Sequence, residues 1–217
     1  RDPEMSRGLG DVYKRQVEIA PYLQNGENTI AVLVWHFGKS GFSHVNSGLA
    51  ALLFEAVAPG VEIVSDKSWQ CTVYDAYQNT GAPYPNYRLP ESNIRFDARM
   101  EMSGWNQPGY TGKMPNAEVI SPVGGAPLGK LVERPIPLWK DYGLKPYVSV
   151  RRSAAGDTLY CRLPYNSQVT PYLKVEAPAG KVIHIRTDNY EGGSQYNVRA
   201  EYVTRDGVQE YESLGWM

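Results

Sequence analysis

Apolar positions along the chain fall in short alternating or continuous runs cut every few residues by Gly or Pro, and helical periodicity is nearly absent. This rhythm predicts an all-β protein with strands over 17–20, 28–35, 48–57, 61–65, 69–74, 94–102, 131–135, 146–152, 158–163, 171–177, 181–188, 196–203 and 208–214. The most informative stretch is Tyr22 to Glu55. It opens with the turn signal Asn25-Gly26, continues through the β-branched and Leu-rich run Thr29 to Trp35, and then enters a Gly/Ser loop bearing Trp35, His36, Phe37, Phe42 and His44. A second apolar run, Leu49 to Phe54, follows. Turns are predicted at Pro59-Gly60, Ala179-Gly180, Gly192-Gly193 and Asp206-Gly207. The last is read as a two-residue hairpin joining VRAEYVT to VQEYES, and APAGKVIHI as a second hairpin.

Two segments, 75–92 and 103–130, are long and irregular, a length that is uncommon unless the loop is functional or packed. Residues 133–146, ERPIPLWKDYGLKP, carry three prolines and read as an extended connector. Residues 1–16 show neither period and resemble translated adaptor sequence, so they are set aside as a non-native leader. The expected organisation is therefore a leader at 1–16, a first sandwich at 17–132 that lacks its opening strands, the connector at 133–146, and the start of a second sandwich at 147–217.

Composition narrows the function classes. Hydrophobic residues make up 42% of the 217 and charged residues 21%, which fits a folded globular chain. The formal net charge of −1 lacks the basic footprint of a nucleic-acid binder. No apolar run is long enough to span a membrane as a helix. Cys71 and Cys161 have no metal-ligand spacing and read as free thiols, buried or half-buried. Sixteen Tyr and five Trp suit both strand faces and sugar-stacking surfaces.

Paired carboxylates can serve as a general acid and base, so they come first among candidate chemistry. On a strand, Arg95, Asp97, Arg99 and Glu101 share a face, and acids beside bases favour salt bridges over an acid with a raised pKa. Glu91 can join that network, or contribute an oxygen to a calcium site, although no calcium-loop motif is present. Around the 35–46 loop, Trp35, Phe37 and Phe42 can stack on a pyranose while His36, His44 and Asn46 offer hydrogen bonds; the alternative is a wedge against a neighbouring domain. His36 and His44 lack a third ligand for zinc. Trp105 is either a lid over core or a sugar platform, Trp69 a core plug whose Nε1–H needs a partner, and His184 a solvent- or loop-facing strand residue. No phosphate loop, GxSxG elbow or Cys/His dyad occurs.

Several segments, taken in order, resemble one family: NGENTIAVLVWHFG, SDKSWQC, FDARMEMSGWN, LVERPIP, APAGKVIHIRTDNY and EYVTRDGVQEYESLGW. Together they are similar to the non-catalytic β-sandwich region of bacterial α-L-rhamnosidases, which are inverting glycoside hydrolases. The resemblance implies a galactose-binding-like jelly roll followed by a second sandwich, both incomplete. A catalytic (α/α)₆ domain would act as partner, and the substrate would be a rhamnose-containing plant glycan. It implies a periplasmic or extracellular location and no catalytic residue in this stretch. Trp35, His36, Phe42, His44 and Trp105 remain candidate carbohydrate contacts, with no cofactor beyond the possible calcium. The other readings are a stand-alone carbohydrate-binding module and a structural sandwich of another secreted protein.

Overall fold

The computed structural model describes residues 12–36, 38, 48–80, 93–120, 131–135, 137–138, 140–186 and 199–215. In chain order its strands are β1 (Val12–Lys14), β2 (Glu55–Ala58), β3 (Val61–Val64), β4 (Tyr77–Asn79), β5 (Ile94–Asp97), β6 (Leu131–Glu133), β7 (Ser149–Arg152), β8 (Leu159–Arg162), β9 (Tyr172–Ala177), β10 (Val182–Arg186), β11 (Arg199–Val203) and β12 (Gly207–Glu212). Short 3₁₀ turns at Ala20–Tyr22 and Ala98–Met100 accompany them. The protein is all-β, of the sandwich type, with several sheets and no barrel. It divides into two compact units: Arg1–Asp75 with Glu101–Pro137, and Ala76–Met100 with Leu138–Met217.

In the first unit β1 runs parallel to β6, and β2 pairs antiparallel with β3. Gly60, at φ +77°, makes the β2–β3 turn, a left-handed conformation that glycine adopts without steric cost. β1 falls inside the stretch expected to carry no strand, which corrects that expectation. The opposite correction applies at 17–20, 28–35 and 48–54. There the described residues pair with no strand, and Val32, Leu33, Val34 and Trp35 are all exposed, as are Leu49, Leu52 and Leu53. β-Branched composition is a preference for a half-buried pleated surface, and where the fold does not supply that surface the composition alone does not make a strand. At 69–74 only an isolated bridge forms, Gln70 to Asn116.

The second unit is built on the sheet β10-β11-β5-β4, in which β11 pairs antiparallel with β10 and parallel with β5. A separate pair, β12-β9, packs on it through aromatic rings. Phe96 lies 4.9 Å from both Tyr77 and Tyr211, and Tyr202 lies 4.8 Å from Tyr211. Burying each such ring contributes on the order of 1.5–3 kcal/mol, with a further increment for the offset and edge contacts. All five residues of β11 are buried, because it is an interior strand with both faces covered.

The two hairpins expected here are not hairpins. Asp206-Gly207 is a turn, with Gly207 at φ +86°, but it passes the chain from β11 in one sheet to β12 in the other. Ala179-Gly180 does the same between β9 and β10. The two crossings are tied side by side. The Thr204 hydroxyl donates to Pro178 O at 2.6 Å and accepts from Lys181 N, and Asp206 accepts from Ala179 N. Gln209, fully buried, uses both ends of its amide. Its Oε1 accepts from Arg205 N at 2.8 Å and from the Tyr202 hydroxyl at 3.1 Å, while Nε2 donates to Arg205 O and Gly207 O.

Candidate functional site

Trp35 and His36 stand together on the surface of the first unit, with Trp35 48% exposed. They lie at the end of an exposed apolar run that forms no strand, rather than on a rim held up by a buried strand, which corrects the expected setting of this loop. Phe42 and His44, with Phe37 and Asn46, lie outside the described residues. The exposed indole of Trp35 offers an apolar face that can stack on a sugar ring.

Trp105 is half-buried and stacks edge-on against Tyr74, with ring centroids 6.0 Å apart. The Tyr74 hydroxyl accepts from Met102 N at 3.1 Å, which fixes the turn carrying Trp105, and burial raises the Tyr74 pKa. Trp69 finds the partner its Nε1–H was expected to need, but it is not the buried core plug expected of it. It is half-buried, its ring lies 5.3 Å from Phe54, and its Nε1 donates to Val64 O at 2.9 Å. Asp66 accepts from both the backbone and the hydroxyl of Ser68, and its pKa is lowered by those bonds.

On the β10-β11-β5-β4 sheet, Arg95, Asp97, His184, Arg199 and Glu201 lie on the face opposite Phe96 and Tyr202. Strand register sets His184 opposite Glu201, and Glu201 opposite Arg95. The Glu201 carboxylate, 3% exposed, accepts from Arg199 Nε at 2.9 Å and from Arg95 Nη1 at 3.3 Å, with His184 Nδ1 3.5 Å away. The expected strand face 95–97–99–101 does not extend that far, because β5 ends at Asp97 and a 3₁₀ turn follows. That turn lets Arg99 fold back onto the near-buried Asp97 at 2.6 Å, and this bond holds the Asp97 carboxyl below its ordinary range. The pairing is thus structural, as the alternation suggested. Its decisive partner, Glu201, was not visible, since nothing local links it to Arg95. Glu91 lies outside the described residues.

Electrostatically this is a set of satisfied carboxylates. Those displaced from the ordinary value, Asp66, Asp97, Asp157 and Glu210, all move down, drawn by hydrogen bonds from Ser68, from Arg99, from Ser153 and Thr158, and from Lys174 and Tyr172. A general acid needs the opposite shift. Among the described residues no group of three or more His, Cys, Asp or Glu is placed to hold a metal ion. Cys71 and Cys161 are free thiols but exposed, which corrects their expected burial. No described helix is long and apolar enough to cross a membrane. No protein-family model, no curated protein and no solved structure matches the chain.

Proposed function

We propose that this chain is a non-catalytic, carbohydrate-contacting β-sandwich region of an α-L-rhamnosidase-type glycoside hydrolase. The observation that carries the reading is the state of the carboxylates. The buried carboxylates Asp97 and Glu201 are locked onto Arg99, Arg199 and Arg95, and among the described residues Asp66, Asp97, Asp157 and Glu210 are shifted toward their ionised form. That arrangement suits a scaffold and leaves proton donation to a partner domain. The exposed Trp35–His36 pair supports contact with the glycan, and the ordered motifs from NGENTIAVLVWHFG to EYVTRDGVQEYESLGW support the family. Rhamnose-containing plant glycans are then the class of ligand, the jelly-roll arrangement belongs to the first sandwich, and export from the cytoplasm follows from such a substrate.

Two assays on the chain test this together. Incubation with an aryl α-L-rhamnoside is expected to release no phenol, and turnover would overturn the non-catalytic reading. Calorimetric titration with a rhamnose-terminated oligosaccharide is expected to show binding that Trp35→Ala abolishes. Equal binding by the variant removes Trp35 from the site.

A further inference from the structure

The β7–β8 hairpin presents a second, chemically different surface. Its register pairs Ser149 with Arg162 and Arg151 with Tyr160, and residues directly opposite on an antiparallel pair share a face. One face therefore carries Ser149, Arg151, Tyr160 and Arg162, and the other Val150, Arg152, Leu159 and Cys161. Both strands are exposed throughout. The Arg151 guanidinium lies over the Tyr160 ring, 4.5 Å from its centroid, which fixes the orientation of a side chain that would otherwise be mobile at the surface.

Two facts distinguish this face from an ordinary solvated strand. Among the described residues neither Arg151 nor Arg162 is paired with a carboxylate, unlike Arg95, Arg99 and Arg199 on the neighbouring sheet. The hairpin's own carboxylate, Asp157, is turned into the tip, where it accepts from the Ser153 and Thr158 hydroxyls at 2.8 and 3.1 Å. From Lys140 to Arg162 the chain holds five basic and two acidic residues, although the whole chain carries a net charge of −1. The segment thus carries a local excess of positive charge. That argues against the extended counterion-releasing surface that nucleic acid requires. It suits point recognition of single carboxylates by planar guanidinium forks.

We propose that the Ser149–Arg151–Tyr160–Arg162 face binds the carboxylates of an acidic polysaccharide, a polymer of uronic acid residues. Arg151, held on Tyr160, and Arg162 each take a sugar carboxylate. The Ser149 and Tyr160 hydroxyls lie on the same face for the sugar hydroxyls. This deepens the carbohydrate-contacting reading and rests on it.

The test is affinity electrophoresis of the intact chain in gels containing polygalacturonate, alginate, dextran sulfate or a neutral glucan. Retardation is expected in both polyuronates and not in the glucan. Arg151→Gln and Arg162→Gln should each weaken it about tenfold, the size of one charge-assisted pair. Arg151→Lys should recover only part, because it keeps the charge and loses the fork. Arg152→Gln removes the same charge from the opposite face and should leave retardation unchanged. Circular dichroism melts that match the parent confirm that the variants are folded. Equal weakening by Arg152→Gln, equal retardation in dextran sulfate, or no retardation in the polyuronates would overturn the proposal. In the last case, calorimetric binding of a neutral rhamnoside sensitive to Trp35→Ala leaves the broader carbohydrate reading standing, whereas absence of both removes both.

Discussion

Replacing Glu201 by Gln tests the ion-pair network of the second unit, because it removes one charge while keeping size and shape. In the parent, Glu201 and Arg199 have side chains 3% and 4% exposed and meet at 2.9 Å, so the pair lies out of water. Arg95 adds a longer contact at 3.3 Å with a side chain 29% exposed, a position where solvent screening leaves little net energy. The cost therefore comes mainly from losing the charge attraction inside the buried Arg199–Glu201 pair, on the order of 3–5 kcal/mol for a broken buried pair. With a urea slope of about 2 kcal/mol/M, the unfolding midpoint should fall by about 2 M. Urea melts followed by near-ultraviolet dichroism of the Tyr202–Tyr211 cluster read this directly. A Glu201→Leu, Arg199→Met double variant should recover most of the loss, since an apolar pair of similar volume leaves no charge behind. A loss below about 1 kcal/mol, with the double variant no better than the single, would refute the assignment of Glu201 as a buried structural counter-ion.

Gln209→Leu should destabilise by about 2–4 kcal/mol, since it deletes four hydrogen bonds around a buried amide, one of them from the Tyr202 hydroxyl; thermal or urea melts measure it. The Tyr211 hydroxyl is buried without a partner in hydrogen-bonding geometry, so Tyr211→Phe should be neutral or slightly stabilising. Burial pushes the Tyr211 pKa up to about 12, only partly offset by the nearby Ser213, so the folded form holds its proton more tightly than the unfolded chain does. Its contribution is complete below about pH 10 and declines as pH rises toward 12. Tyr211→Phe should remove that part of the alkaline loss. Asp97 has the opposite sign. Its lowered pKa contributes stability above about pH 4 that disappears as pH falls through the folded value, and Asp97→Asn should flatten acid melts in that window.

The turns and most strands of the second unit were legible because their signals are local. Pro59-Gly60, Ala179-Gly180 and Asp206-Gly207 carry glycines that the structure holds at φ between +77° and +86°, and alternating runs such as Tyr172–Ala177 announce themselves. Strand partners were not legible. The Asp206-Gly207 turn has hairpin chemistry, yet the chain changes sheet there because the ring of Tyr211 packs across onto Phe96 and Tyr202. The parallel pairing of Arg95 with Glu201 joins positions far apart in sequence, and no spacing rule could supply it. In the first unit the sequence overstated structure. Thr29 to Trp35 has strand composition, but composition does not provide a neighbour, and Trp35 and His36 lie outside any strand. The arginine face of the β7–β8 hairpin went unnoticed because Arg151 and Arg162 become neighbours only when the register is known.

Saturation-transfer NMR of the intact chain with a rhamnose-terminated oligosaccharide reads contact and chemistry in one sample. Magnetisation should pass from the protein to the rhamnosyl protons while no free rhamnose accumulates. Either the appearance of free rhamnose or the absence of any transfer would contradict a non-catalytic, carbohydrate-contacting sandwich.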